Sequence, residues 1–319
     1  MSELIKEEIL NEENRIPENG EQRPKKEQKL HKLGKNTWVD YIIIAFLIIF
    51  AFCAFYPMWY VIAGSFSNGN DYMRGGVYFW PRMFTFANYS VVFYDDRVWL
   101  ATLVTVVRCM VGPTLNVFLT SLVAYGMSRR ELYFKKFFNG IFLFTMFFSG
   151  GTIPYYLLCK ILGLLNTFWM YVIPGMLNVY NMILIRSFFN GSPEELHEAA
   201  VMDGASEFRI YFTIAIPLCM PILMTIFMWG LIGHWSDYIT SMYYVPTNTK
   251  LHTLQYVLMK IIQAGDITIS DVPGLSKGET TGETISYAAM VFGTIPMLIA
   301  YPFLQKYFTR GLYVGSLKG

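Results

Sequence analysis

The sequence predicts an all-α membrane protein with six transmembrane helices. Three observations carry this reading. The 319 residues are 54% hydrophobic and only 15% charged, whereas a soluble domain usually carries about 25% charged residues. Six segments hold the roughly 20 mainly apolar residues that a helix needs to cross a bilayer: 39–63, 99–127, 138–159, 167–189, 213–242 and 285–308. Twenty-six Phe, twenty-two Tyr and seven Trp suit lipid-facing surface and interfacial belts.

Residues 1–37 differ from the rest. They hold Lys6, Arg15, Arg23, Lys25, Lys26, Lys29, Lys32 and Lys35, many acids and little that forms a core, which reads as a disordered cytoplasmic tail. The apolar run behind it starts too late and is too long for a signal peptide. Residues 38–319 then form the membrane domain. Several spans contain breakers: Gly112-Pro113, Gly150-Gly151 with Pro154, Pro174-Gly175, Pro217 with Pro221, and Pro296 with Pro302. Broken helices persist in a bilayer where protein or a water-filled cavity satisfies the freed backbone, so the pattern predicts a bundle around a pathway. Cys53, Cys109, Cys159 and Cys219 sit in or beside apolar runs without paired spacing. They read as small buried hydrophobes, not as disulfides or a metal site.

Orientation follows from the basic residues. The tail is basic, and the short 128–137 loop carries Arg129, Arg130, Lys135 and Lys136, while the longer 64–98 loop holds only Arg74, Arg82 and Arg97. The tail and the 128–137 loop are therefore placed inside. Six crossings put the C-terminus inside as well, and Lys306, Arg310 and Lys318 agree. Parity also places the 191–217 loop inside.

That loop contains SPEELHEAAVMDGASEFRIYFTIAIP, with five acidic residues between two apolar runs. Ser192 suits a cap, Pro193 the first helical position, and Glu195 a capping box. Gly204 suits a left-handed end, Ser206 starts a second helix, and Pro217 marks entry to the fifth span. Leu196, Ala199, Ala200 and Asp203 share one face of the short helix, and its alanines permit close approach by another surface. A solvated loop helix without a partner would also fit; the caps and small residues in so short a loop favour a docking element.

EAAVMDGASEFRIYFTIAIP resembles the EAA loop of binding-protein-dependent ABC importer permeases, with Glu198, Ala199, Ala200, Gly204, Ile214 and Pro217 at the family spacing and Ile216 where Leu is usual. SGGTIPYYLLCKILGLLNTFW at 149–169, GHWSDYITSMYYV at 233–245 and the C-terminal QKYFTRGLYVGSLKG resemble the carbohydrate branch of that family. The similarity covers roughly residues 38–319. It implies the type I importer permease fold, residence as a multi-pass protein in the cytoplasmic membrane of a bacterium, and import of a carbohydrate, with an oligosaccharide expected. The implied partners are a second homologous permease, two ABC ATPase subunits, an extracellular solute-binding lipoprotein and membrane lipid, with no nucleic acid. Glu195, Glu198, Ala199, Ala200, Asp203 and Gly204 would couple the chain to the ATPases.

The chain has no Gly-x-x-x-x-Gly-Lys-Ser/Thr loop. It is expected to be no enzyme and to hold no cofactor, with ATP and Mg2+ bound by the partner ATPase. Ionisable groups inside a bilayer are functional candidates by default. Arg108 lies about nine residues into the second span, roughly 13 Å from its outer end at 1.5 Å per residue. His234 and Asp237 lie near the outer end of the fifth, one turn apart. Trp229, Trp235, Asn178, Tyr180 and Asn181 add polar and aromatic groups suited to sugars. The same residues also admit structural roles: a partner-facing ion pair for Arg108, helix-end caps for His234 and Asp237, interhelical bonds for the asparagines, an interfacial belt for Trp235 and Tyr238. An ABC permease for a non-sugar solute, a secondary transporter and an intramembrane enzyme are the alternatives. The last lacks a His-Glu-x-x-His motif. In 242–284, LHTLQYVLMKII reads as an amphipathic surface helix ahead of a Gly-, Ser- and Thr-rich linker.

Overall fold

The computed structural model describes residues 38–264 and 278–316, with side chains to Gln263, from Gly278 to Ile299, and at Pro302. The expected tail, the linker 265–277 and the last three residues, Lys318 and Gly319 among them, lie outside the described residues. By its contacts the chain divides into Met1–Phe55 and Tyr56–Gly319. In the first unit the described residues are helical and exposed along their whole length. They begin helix α1, Trp38–Ser65. Cys53 is therefore exposed, contrary to the expectation for all four cysteines: it sits on a helix stretch that is exposed throughout.

Apart from one isolated bridge between Ser67 and Phe84, every regular element described in the second unit is helical. After α1 come α2 (Gly69–Met73) and α3 (Ala87–Tyr94). The long α4 is Asp96–Ser128. It starts where Asp95 caps it: the carboxylate accepts from the Arg97 amide at 2.9 Å and from the Arg97 guanidinium. Burial works to raise the pKa of that carboxyl, but the bonds and charge of Arg97 outweigh it and hold it below the usual range.

The third span is not a straight crossing. Its residues form α5 (Lys135–Phe147) and α6 (Thr152–Ile161), bent by 115°. The bend falls at Gly150-Gly151, and Gly151 has φ +86°, a conformation that glycine adopts freely. The fourth is bent by 48° between two 3-10 turns, Phe168–Tyr171 and Ile173–Gly175, and α7, Val179–Asn190. Pro174 breaks the run, and Asn178 restarts it by accepting from the Asn181 amide at 3.0 Å. The short α8 is Glu194–Met202 and α9 is Glu207–Ile210. A π-helical turn, Tyr211–Ala215, joins α9 to α10, Ile216–Ser236, so Glu207–Ser236 is one apolar helical run. Then come α11 (Ile239–Tyr244), α12 (Leu254–Ala264) and α13 (Gly282–Ser316). Among the described residues, four helices are long and apolar enough to cross a membrane, or six if each bent pair is one span.

Helices α4 and α10 form the spine of this unit. Three apolar clusters line it. One packs Val98, Ala101 and Cys109 with Trp235, α12 and α13. A second joins Ala124 and Tyr125 to α7 and α10. A third sits around Val104, Cys159 and Tyr171. α12 is amphipathic as expected, with Leu254, Val257, Leu258 and Ile261 buried.

Asn88 ties three elements together. It is fully buried, donates to the Ser65 and Ser67 carbonyls at 2.9 Å each and accepts from the Thr284 hydroxyl at 2.7 Å. An unmade buried hydrogen bond costs about 1–3 kcal/mol. Asn88→Ala is expected to lower the melting temperature of the detergent-solubilised protein by several degrees, and Thr284→Val to lower it as well, because the Thr284 hydroxyl both donates to Asn88 and accepts from the Thr281 amide at 3.0 Å.

Candidate functional site

Two sites stand out. The first is a cleft of about 510 Å³, set between α4, α10 and the broken segment before α7. Arg108, Asn178, Asn181, Trp229, His234 and Asp237 all line it. Six of the eight residues singled out for a pathway are thus gathered in one place. Tyr180 lines a separate hollow beside Phe142 and Leu177, and Trp235 is the other exception. Its ring is buried, and its indole N–H donates to the Gly293 carbonyl at 2.9 Å, so it anchors α10 to α13. One residue of helical rotation separates it from His234, and the two side chains leave the helix on different sides.

Arg108 is the charged centre of the cleft. It is 2% exposed. Its Nη2 donates to Asp237 Oδ2 at 2.7 Å, its Nη1 to the Asp237 carbonyl at 3.3 Å, and its Nε to His234 Nδ1 at 3.3 Å. A guanidinium only donates, so Nδ1 of His234 is the acceptor. The guanidinium also lies 4.5 Å above the Tyr171 ring, a cation–π geometry. Asp237 in turn accepts from the Thr240 amide at 3.0 Å. The ion pair is therefore made within this chain.

The fit depends on two glycines. A Cβ at Gly112 would collide with the His234 ring, and one at Gly230 would press on Pro113 at 3.0 Å. Small residues at these points let α4 and α10 approach closely. Asn116, Tyr155, Tyr171, Thr240 and Tyr244 also line the cleft and were not singled out in the sequence. None is charged at neutral pH, and the tyrosines look like the belt residues that surround them. The cleft offers one buried charge pair, three amides, hydroxyls and aromatic faces, which is chemistry suited to polyhydroxylated solutes.

The second site is α8. Glu195, Glu198, Ala199, Asp203 and Gly204 are exposed and Ala200 is half-buried. Leu196, Met202 and Phe208 add exposed apolar surface, Met202 at 87%. The expected left-handed end is present: Gly204 has φ +77°, its N–H donates to the Val201 carbonyl, and the Ala205 N–H donates to that of Ala200. This is a Schellman motif. The Ser206 hydroxyl caps α9 by accepting from the Arg209 amide. The capping box at the start of α8 is not formed. Pro193 holds the cap position without a side-chain bond, and the Ser192 hydroxyl donates backwards to the Phe188 carbonyl at 3.3 Å. The tight turn after α7 takes the serine first, and the acidic first turn, with Glu194 on Arg130 at 2.8 Å, stabilises the helix start instead.

Behind α8 lies a bonded triplet that sequence reasoning missed. The Tyr125 hydroxyl donates to Glu207 Oε2 at 2.7 Å, and His197 Nε2 lies 3.1 Å from Glu207 Oε1.

Comparison with known proteins gives a consistent picture. Residues 33–313 match the family described as binding-protein-dependent transport system inner membrane component. The polygalacturonan/rhamnogalacturonan transport system permease protein YtcP of Bacillus subtilis is 35% identical over 286 residues, which cover 89% of this chain and 100% of that protein. Protein LplC of the same organism is 34% identical over 263 residues, 82% of this chain and 89% of that one. Among solved structures, a chain of a bacterial ABC transporter involved in the import of the acidic polysaccharide alginate matches with a TM-score of 0.80 and 31% identity, over 86% of this chain and 99% of that chain.

Removing one partner of a buried ion pair leaves an uncompensated charge. Asp237 keeps a quarter of its side-chain surface, so Arg108→Leu is expected to cost about 3 kcal/mol, the low end for such a pair. Arg108→Leu combined with Asp237→Asn should recover most of that loss. Thermal melting of the two variants in detergent checks both.

Proposed function

This chain belongs to the family of binding-protein-dependent transport system inner membrane components, and we propose from that premise that α8 couples it to separate ATPase subunits while the cleft on α4 and α10 lines the route of a carbohydrate. It is a permease of a carbohydrate ABC importer and an integral protein of the cytoplasmic membrane. The observation that carries the reading is the match to the alginate importer, which spans 99% of that chain. The fold is that of type I importer permeases.

The finer parts of the reading rest on physical arguments. Four long helices and two bent pairs support six crossings, and an even number puts both termini on the same, basic, cytoplasmic side. The N-terminal 37 residues would be a disordered tail beside a membrane domain of 38–319. The partners would be a second permease, two ATPases that bind ATP and Mg2+, and an extracellular binding lipoprotein that delivers the sugar. α8 suits docking because it is rigid, closed by a Schellman motif, and exposes the Glu198 carboxylate to donors of an ATPase, where charge-assisted bonds are strong. In the cleft, Asp237 and the three amides suit sugar hydroxyls, and Trp229, Tyr155 and Tyr244 suit the C–H faces of pyranose rings. Near-rigid motion of helices around such a site gives alternating access.

A Cβ at Gly204 would meet open space, so substitution there acts through the backbone: a side chain in the left-handed region costs about 1–2 kcal/mol and misdirects the exit toward α9. Gly204→Asp and Glu198→Lys are each expected to leave the permease inserted while lowering ATPase co-purification and sugar-stimulated ATP hydrolysis. Wild-type values of both in both variants would make α8 an ordinary surface helix. Arg108→Leu/Asp237→Asn, which restores stability, is expected to assemble normally and to reduce uptake about tenfold or more, a loss of 1.4 kcal/mol or more in effective interaction.

A further inference from the structure

Helices α4 and α10 are joined at both ends of the pair. At the cleft, Arg108 of α4 holds His234 of α10 and Asp237 just beyond it. At the opposite end, the Ser121 hydroxyl of α4 meets the Tyr211 hydroxyl at 2.7 Å in a fully buried contact, and the Tyr125 hydroxyl bonds Glu207. Tyr211 and Glu207 belong to the helical run that continues as α10. Glu207 is the junction. One of its oxygens is taken by Tyr125 on α4 and the other by His197 on α8.

We infer that Tyr125, Glu207 and His197 form a strut that locks α8 to α4, so that a displacement of α8 reaches both helices of the pair and not α10 alone. The inference rests on the reading of α8 as the ATPase-coupling helix. Without the strut, α8 reaches α10 along the chain, by Gly204 in the left-handed conformation, Ala205, α9 and a π-helical turn; its ion pair toward the end of α4, Glu194 on Arg130, is exposed, and such pairs hold little. A π turn is a local irregularity in the helix ladder and is found often at functional positions; a path through it and through Gly204 is the compliant one. That path first meets α4 at Tyr211, beyond both Gly204 and α9. Any slip of α10 against α4 along it would draw Arg108 and Asp237 apart at the far end, where separation leaves a buried charge unpaired.

The strut is not a stabilising device. The His197–Glu207 pair is partly exposed, with side-chain exposures of 20% and 55%, and such pairs contribute little to stability. Its value is geometric. Side chains from α8 and α4 share the one carboxylate that α9 carries, and each bond is directional. His197 donates through Nε2, so a glutamine amide at the same place can donate as well. The three are positioning residues: none faces the cleft.

The test uses the complete transporter with its second permease and ATPases, purified in a Cys53→Ser background. Spin labels go on α8 at Met202→Cys, an exposed position, and on α4 at Met110→Cys. Their distance is measured without nucleotide and after trapping with ATP, Mg2+ and vanadate. With native strut residues the distance should stay constant within about an ångström while α8 moves relative to the ATPases. Tyr125→Phe and His197→Ala should let it change by several ångströms, and His197→Gln should restore the constant value. A distance that already shifts with the strut intact, or is as constant in Tyr125→Phe and His197→Ala as in the parent, overturns the strut. Failure of the underlying reading looks different: the ATPases then co-purify equally with Gly204→Asp and with the parent chain.

Discussion

A guanidinium buried between two apolar helices governs this molecule. Arg108 is almost without solvent contact, and a charge in that position persists only when paired and hydrogen-bonded. Its partners are Asp237, His234 and the Tyr171 face, and they come from two separate stretches of chain, both distant from Arg108 in sequence. Meeting that demand requires α10 to end at Ser236, so that the Asp237 carboxylate and carbonyl both turn toward α4. It requires a residue without a Cβ at Gly112, where the His234 ring lies, and another at Gly230 against Pro113. It also requires the fourth span to break, because Tyr171 reaches the guanidinium from a 3-10 turn. From that turn the Tyr171 hydroxyl bonds Ser241 and the Leu251 carbonyl. The cleft is the space that this arrangement leaves open.

The same constraint explains which parts of the site were legible in the sequence. Arg108, His234 and Asp237 were legible because ionisable groups stand out in apolar runs; their pairing with one another was not, since the sequence suggested a partner-facing ion pair for Arg108 and helix-end caps for the other two. Asn178 and Asn181 were visible because amides are rare in apolar runs. The left-handed end of α8 was legible for a different reason: Gly204 followed by Ser206 is local chemistry, and local chemistry survives in the fold. Tyr171, Tyr244 and Asn116 were not legible, because their roles depend on which helices meet. Trp235 was misread for the same reason. A tryptophan at a helix end has an interfacial look in one dimension, and only the packing of α13 reveals that its N–H is spent on Gly293.

The capping box failed through competition. Ser192 fits the pattern, but it also follows α7 closely enough for its hydroxyl to bond the Phe188 carbonyl. A serine has one proton to give, and serines bond backwards to nearby helix carbonyls as readily as they cap forwards. The third span was read as interrupted at Gly150-Gly151, and the size of the bend is what the sequence did not show. Composition gives a length of apolar chain but not its direction, and Gly150-Gly151 permits a turn of 115° that hydropathy cannot register. Triplets such as Tyr125, Glu207 and His197 are the hardest to find. Tyr125 and Glu207 are 82 residues apart, and neither residue type is unusual where it stands.

The distribution of stiffness along the chain follows from these details. Between Gly112 and Gly230 the spine is close-packed, and close-packed interiors transmit strain rather than absorb it. At its ends polar bonds are set into the apolar clusters, and directional bonds between a handful of atoms either hold or break. Between α8 and α10 the backbone contains a left-handed glycine and a π-helical turn, both places where the regular hydrogen-bond ladder is interrupted. A chain built this way does not deform evenly when one end is pushed. The push is absorbed at the interrupted ladder unless side chains bridge it, and it crosses the spine with little loss once it arrives. Whether the cleft responds therefore depends less on the strength of contacts at α8 than on whether the chain bypasses its own weakest joint, and Glu207, bonded on one side to α8 and on the other to α4, stands at that joint.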